Sequence, residues 1–134
     1  MTFRRERQRE ALEEIKNILR SEDKEIGIIL VEGSRDANAL RILGATFEVE
    51  ISSHVGQNEH DVADDLSEKT RSVLVLTDFD QKGIYQAARL SDLLEAEGVR
   101  VHRELRRKIG MLMGIIGIKT VESLDDVAEG LCSD

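Results

Sequence analysis

The sequence predicts an α/β domain: a doubly wound, mostly parallel four-stranded sheet with helices on both faces and extra helices at each end. Three observations predict it. Strand-like and helix-like segments alternate along most of the 134 residues, the pattern of a parallel sheet closed by right-handed crossovers. The runs 26–31 and 73–76 carry no polar side chain and do not alternate, as expected of strands covered on both faces. Both end in acid followed by glycine, Glu32-Gly33 and Asp78-Phe79-Asp80-Gln81-Lys82-Gly83, before a helical pattern resumes.

The elements follow in order. Residues 4–20 predict a helix whose apolar stripe is Ala11, Leu12, Ile15, Ile18 and Leu19. Ser21–Lys24 breaks it, and Glu25–Val31 is the first strand. Asp36, Ala37, Ala39, Leu40, Ile42 and Leu43 give a short helix closed by Gly44. Thr46–Ile51 alternates apolar and acidic residues, so it belongs near a sheet edge with one wet face. Ser52–Gly56 reads as a loop and 58–69 as a polar helix burying Val62, Ala63 and Leu66. After the strand at 73–76, a helix over 81–97 presents Ile84, Ala87, Ala88, Leu90 and Leu94, with Tyr85 beside them, to the sheet. Gly98 ends it, and Val99–His102 is a fourth strand. Beyond Arg103, Leu105, Ile109, Leu112 and Met113 fit a helix, Gly114–Gly117 reads as a flexible break, and Thr120 is placed to cap a last helix over 121–131. No linker or repeat interrupts the chain. One domain over 1–134 is expected, with its core at 25–103 and flanking helices at 4–20 and 104–131.

Composition bounds the function. With 40% apolar and 34% charged residues the chain reads as globular. No apolar run approaches the roughly 20 residues of a membrane span. The charged start, Met1–Glu6, leads into no signal-peptide core. A single cysteine, Cys132, excludes an internal disulfide and a cysteine zinc cluster. A cytoplasmic protein is expected. The net charge of −8 argues against a general nucleic-acid coat, but Arg100, Arg103, Arg106, Arg107 and Lys108 concentrate positive charge within nine residues against Glu104 alone. A local anion-binding face is compatible with that.

Singly, each acid at a strand end has a plain structural role available: Glu32 finishes a strand in water, and Asp80 caps the helix that follows. Jointly they suggest more. Asp78 and Asp80 point the same way if extended geometry persists through Phe79, and the C-terminal ends of parallel strands are where open α/β sheets bind ligands. Three carboxylates gathered there repel one another unless protons or a cation intervene. Magnesium suits such ligands, taking hard oxygens from carboxylates, waters and phosphate.

The segments Val31-Glu32-Gly33-Ser34-Arg35-Asp36-Ala37-Asn38-Ala39-Leu40 and Leu76-Thr77-Asp78-Phe79-Asp80-Gln81-Lys82-Gly83 together resemble the two motifs of the Toprim domain. That domain is shared by topoisomerases, bacterial-type primases, recombination and repair proteins, and the nuclease that matures the smallest bacterial ribosomal RNA. The first motif is most similar to the primase version. The resemblance covers about residues 25–103 and implies a Rossmann-like Toprim sheet. It implies Glu32 as general acid/base and Asp78 and Asp80 as Mg²⁺ ligands; Glu32 is also expected as the third oxygen ligand of that metal site, with Mn²⁺ as an alternative ion. The implied activity is phosphodiester chemistry on RNA or DNA. Substrate contacts are expected at Gly33, Lys82, Gly83, Arg100 and Arg103. For Arg100, His102 and Arg103 a solvated strand end is an equal alternative.

The chain also departs from the family. The only tyrosine, Tyr85, lies in the helix after the acid pair and is assigned to packing rather than to the topoisomerase nucleophile. Many Toprim proteins place another acid after the fourth strand, but here the strand and its end offer Arg100, His102 and Arg103, with only Glu104 afterwards. A metal-dependent nuclease is therefore weighed against a non-catalytic nucleic-acid-binding or assembly module. The apolar stretch Met111–Ile118 gives the C-terminal helices a surface for a second copy or a processing-complex partner. Other chemistries fail on residues: no Gly-x-x-x-x-Gly-Lys phosphate loop occurs, and His54, His60 and His102 have no metal-ligand spacing.

Overall fold

A computed structural model describes residues 2–21, 25–55 and 58–132. Among them the chain runs α1 (Thr2–Arg20), β1 (Ile28–Val31), α2 (Ser34–Ile42), β2 (Glu48–Ile51), the single turn α3 (Ser52–Val55) and α4 (Glu59–Lys69). It continues as β3 (Ser72–Val75), α5 (Gln81–Ala96), β4 (Arg100–Val101), α6 (Arg103–Ile116) and α7 (Ser123–Cys132). The four strands form one sheet in the order β2-β1-β3-β4, every pairing parallel. The α/β architecture read from the sequence is the one observed.

The pleat of the two central strands divides the interior. Ile29, Val31, Leu74 and Leu76 face one core with α1, α2, α6 and α7. Ile28, Leu30, Val73 and Val75 face the other with α4 and α5. All four residues of β1 are buried, whereas β2, at the edge, keeps Glu48 exposed and pairs Glu50 with Lys69 at 2.9 Å. The terminal helices complete the first core: Leu12, Ile15 and Leu19 of α1 meet Ile109, Met113 and Val121 there. Gln8 donates to the carbonyl of Ile116 (3.1 Å) and Arg9 to that of Leu131 (3.1 Å).

Some expectations shift. The predicted break at Gly114–Gly117 is helical as far as Ile116; α6 stops only at Gly117, whose φ of 94° is a left-handed cap that glycine adopts without strain. Ala88 is exposed, and Ile84 and Tyr85 do not face the sheet either. They are 55% and 64% exposed, and Arg89 lies over the Tyr85 ring, 5.9 Å from its centre. Tyr85 is thus not a packing residue. The buried stripe of α5 is Gly83, Ala87, Leu90, Ser91 and Leu94, because spacings of three and four place those positions over the strands. Ser52–Val55 forms a helical turn rather than loop, while Gly56 and Glu22–Lys24 lie outside the described residues. Among the described residues no helix is long and apolar enough to cross a membrane.

A candidate acidic site at the switch point of the sheet

The strand order fixes where a site can lie. From β1 the chain crosses through α2 to β2 on one side, and from β3 it crosses through α5 to β4 on the other. The connections leaving the C-terminal ends of β1 and β3 therefore diverge and open the crevice in which parallel α/β sheets bind ligands. Glu32 is the first residue after β1, and Asp78 and Asp80 follow β3.

The two aspartates are not a strand pair. Regular pairing stops at Val75, and the chain bends at Phe79 and Asp80. Asp80 is the N-cap of α5 and accepts from the Gly83 N–H (2.8 Å), which is the plain role available to it in the sequence. Asp78 accepts from the Val121 N–H (2.8 Å), and the Phe79 N–H donates to the Lys119 carbonyl (2.7 Å). The segment before α7 is thereby laced to the tip of β3. Each aspartate retains a second carboxylate oxygen beyond these bonds.

This lacing brings in acids that the strand-end pattern did not single out. Asp36, only 7% exposed, accepts from the Gly33 N–H (3.1 Å), and the backbone N–H and the charge of Glu122 both act on its carboxyl. Burial, then the charges of Asp78 and Asp36, raise the Glu32 pKa, while Lys82 lowers it and Asp80 adds a further upward push. Burial raises Asp78 as well; the Val121 hydrogen bond opposes this, and Asp80 and Glu122 reinforce it. Asp36 is raised by burial and by Asp78. The carboxylates at the crevice feel one another, the condition under which a cation or a proton is retained.

One cation is built in. Arg106 of α6 donates to three carbonyls at the end of β3, those of Val75 (3.0 Å), Thr77 (2.8 Å) and Asp78 (3.0 Å). Its guanidinium lies 4.2 Å from the centre of the Phe79 ring. Burial lowers its pKa to about 10, against the pull of Asp78 and Glu32, so it stays charged at neutral pH. Sequence reading placed it in the basic run without a role. Its helical phase was the available signal: Arg106, Ile109 and Met113 share a stripe, and the last two are core.

The expected substrate contacts divide. Gly33 and Lys82 lie with the acids, and so does Gly83. Arg100 does not: it opens β4 opposite Ser72, the first residue of β3, and pairs with Glu25 at 3.4 Å. Asp78 is six residues further along, about 20 Å at ~3.3 Å per residue, so Arg100 sits on the opposite rim. Arg103 is held by Asp92 and Glu95, each at 2.8 Å. β4 ends opposite Val73, well short of the acids. Gly83 has a structural reason to be glycine, since a Cβ there would lie 2.0 Å from the Asp78 carbonyl oxygen. Gly33 has none: its backbone is extended, and a Cβ would find only Asp36 Oδ2, at 3.9 Å. Accordingly, Gly83→Ala is expected to lose about 1–3 kcal/mol through overpacking and Gly33→Ala to stay within about 1 kcal/mol of wild type, as read by urea unfolding.

Relatives extend over most of the chain. A UPF0292 protein of Methanosarcina barkeri is 33% identical over 119 residues, spanning 87% of this chain and 81% of its own. The chain belongs to the UPF0292 family. Further members include those of Pyrococcus furiosus, 38% identical over 105 residues (78% of this chain, 76% of the relative), and Methanocaldococcus jannaschii, 32% over 118 (86% and 84%). A solved structure of a protein from Aquifex aeolicus shares the fold, with a TM-score of 0.61 and 27% identity over 85% of this chain and 94% of that one. No family model matches the chain. The family name specifies no activity, so function is argued from the site.

The donor set fits a hard divalent ion in type and charge. Among the described residues no group of three or more His, Cys, Asp or Glu is gathered closely enough to hold a metal by itself. Magnesium does not require such a cage: it is commonly held by one or two carboxylates, with waters and substrate phosphate completing the shell. The free oxygens of Asp78 and Asp80 suit that partial arrangement.

Proposed function

We propose that this chain is a Toprim-type protein performing Mg²⁺-dependent phosphodiester cleavage on RNA or DNA, and that it works in the cytoplasm. The observation that carries this reading is the placement of Glu32, Asp78 and Asp80 at the C-terminal ends of the paired parallel strands β1 and β3, in the switch-point crevice. Asp78 and Asp80 would hold the ion, with Mn²⁺ as an alternative, and the ion would neutralise charge developing on the phosphate. Glu32 would move the proton. Its raised pKa suits a group that takes a proton from attacking water or delivers one to the leaving oxygen, a role worth ~10²–10⁴-fold in rate. Lys82, near Glu32 in the first turn of α5, supplies positive charge for an approaching phosphate. Gly33 leaves open space beside the acids.

The test is cleavage of structured RNA and of supercoiled DNA with Mg²⁺ or Mn²⁺. Glu32→Gln is expected to lower the rate at least 100-fold while Mg²⁺ binding persists, and Asp80→Asn to weaken both. Cleavage by Glu32→Gln at the wild-type rate contradicts the assignment. The second reading, a binding or assembly module without turnover, is favoured by Met111, 61% exposed on α6. It predicts unchanged nucleic-acid binding in both variants and no cleavage by any.

A further inference from the structure

On the α4 and α5 side of the same rim, between the tips of β1, β2 and β3, lies a pocket of about 180 Å³ with Glu32 in its wall. Pockets that enclose a whole small ligand span about 300–1,000 Å³, so this one suits part of a larger molecule. Its other acid, Glu59, is neutralised by Arg89 at 2.7 Å. The described lining contains no Lys or Arg, so it is not built for phosphate. Its remaining polar groups are neutral: Ser52, Ser53, Asn58 and Gln86, above the buried side chains of Val62 and Leu90. The Thr77 hydroxyl is committed to the Gly83 carbonyl (2.6 Å). Asn58 Oδ1 accepts from the Asp61 N–H (2.9 Å), leaving its NH₂ to spare.

Gln86 decides the chemistry. Its Oε1 is buried and has no hydrogen-bond partner among the described residues. Gln86 itself lines the pocket, so rotation of its side chain would bring this unsatisfied amide to a ligand edge seated there. An amide turned end over end would leave its NH₂ equally unpartnered.

We propose that this pocket binds the nucleobase of the nucleotide whose phosphate lies at the acidic site. A base has apolar faces for Val62 and Leu90 and an edge of donors and acceptors for Gln86, Asn58 and the two serines. Glu32, shared by pocket and acid cluster, places that base next to the reacting phosphate and gives the site a way to select sequence. The inference rests on the nucleic-acid reading above but has its own readout.

The test is an NMR titration of the intact protein with each of the four nucleoside 5′-monophosphates, and separately with inorganic phosphate, with and without Mg²⁺. At least one nucleotide is expected to shift the backbone amides of Ser52, Ser53 and Asn58 and the side-chain amide of Gln86, while inorganic phosphate leaves them in place. Gln86→Leu is expected to weaken that nucleotide about tenfold with Mg²⁺ affinity unchanged. Ser53→Ala, at an exposed position, gives a second variant if Gln86→Leu fails to fold. Shifts confined to residues 78–83, or nucleotide affinity within twofold of wild type in the variants, overturn the pocket and leave the metal site standing. Nucleotide binding at Gln86 without any Mg²⁺ binding supports the pocket and removes the cleavage reading.

Discussion

Methionine in place of Arg106 is expected to lower stability by about 3–5 kcal/mol, the range for removing one partner of a buried charged network. Three carbonyls at the end of β3 lose their donors at once, and Asp78 and Glu32 lose the cation that offsets their repulsion. Arg106→Lys should fall between the two, since an ammonium restores charge but not the planar fork that reaches three acceptors and stacks on Phe79. Urea unfolding at pH 7 measures both. A loss under about 1 kcal/mol for methionine would show that β3 ends where it does without Arg106.

The second large effect joins pH to metal. Glu32, Asp36 and Asp78 have raised pKa values in the fold. Between the unfolded and folded values the folded chain therefore binds more protons, so stability falls as pH rises through that window. This contribution is greatest below the ordinary carboxylate values near 4, and the ion-free protein carries the repulsion once the three groups have lost their protons. Mg²⁺ at a hundred times its dissociation constant should restore about 2.7 kcal/mol, a rise in Tm of about 10 °C for a chain of this size.

Asp78→Asn removes the shared charge but keeps an acceptor for the Val121 N–H. Without metal at pH 7 it should melt higher than wild type, the difference should shrink toward pH 4, and the Mg²⁺ shift should vanish. Taking the difference between the two proteins cancels groups elsewhere. A variant that still gains stability from Mg²⁺, or one that melts lower at every pH, contradicts the arrangement.

Local pattern made the frame of the fold legible. Continuous apolar runs identified β1 and β3 as central, and the alternation of 46–51 put β2 at an edge. Glu32, Asp78 and Asp80 were legible because each stands at the end of such a run. Long-range contacts were not. Nothing near Glu122 in the sequence signals that a hydrogen bond from Phe79 to Lys119 brings its segment onto the acids. Asp36 had a local signal, its spacing three residues after Gly33 in a capping arrangement, though none for its place among the carboxylates. For Arg100 the sequence left substrate contact and a solvated strand end as equal alternatives, because it carries no signal for strand register. β4 has only two residues, and their register puts Arg100 at the far rim.

Substoichiometric Mn²⁺, followed by paramagnetic broadening of backbone amide signals, tests most directly whether the rim acids share one ion. The predicted result is loss of signals from residues 32–33, 36, 78–83 and 121–122 before any others, restored by excess Mg²⁺ and absent in Asp78→Asn. Broadening that begins instead among the acidic residues of β2 and α4, or that spares 78–83, would contradict a divalent-ion site at the switch point.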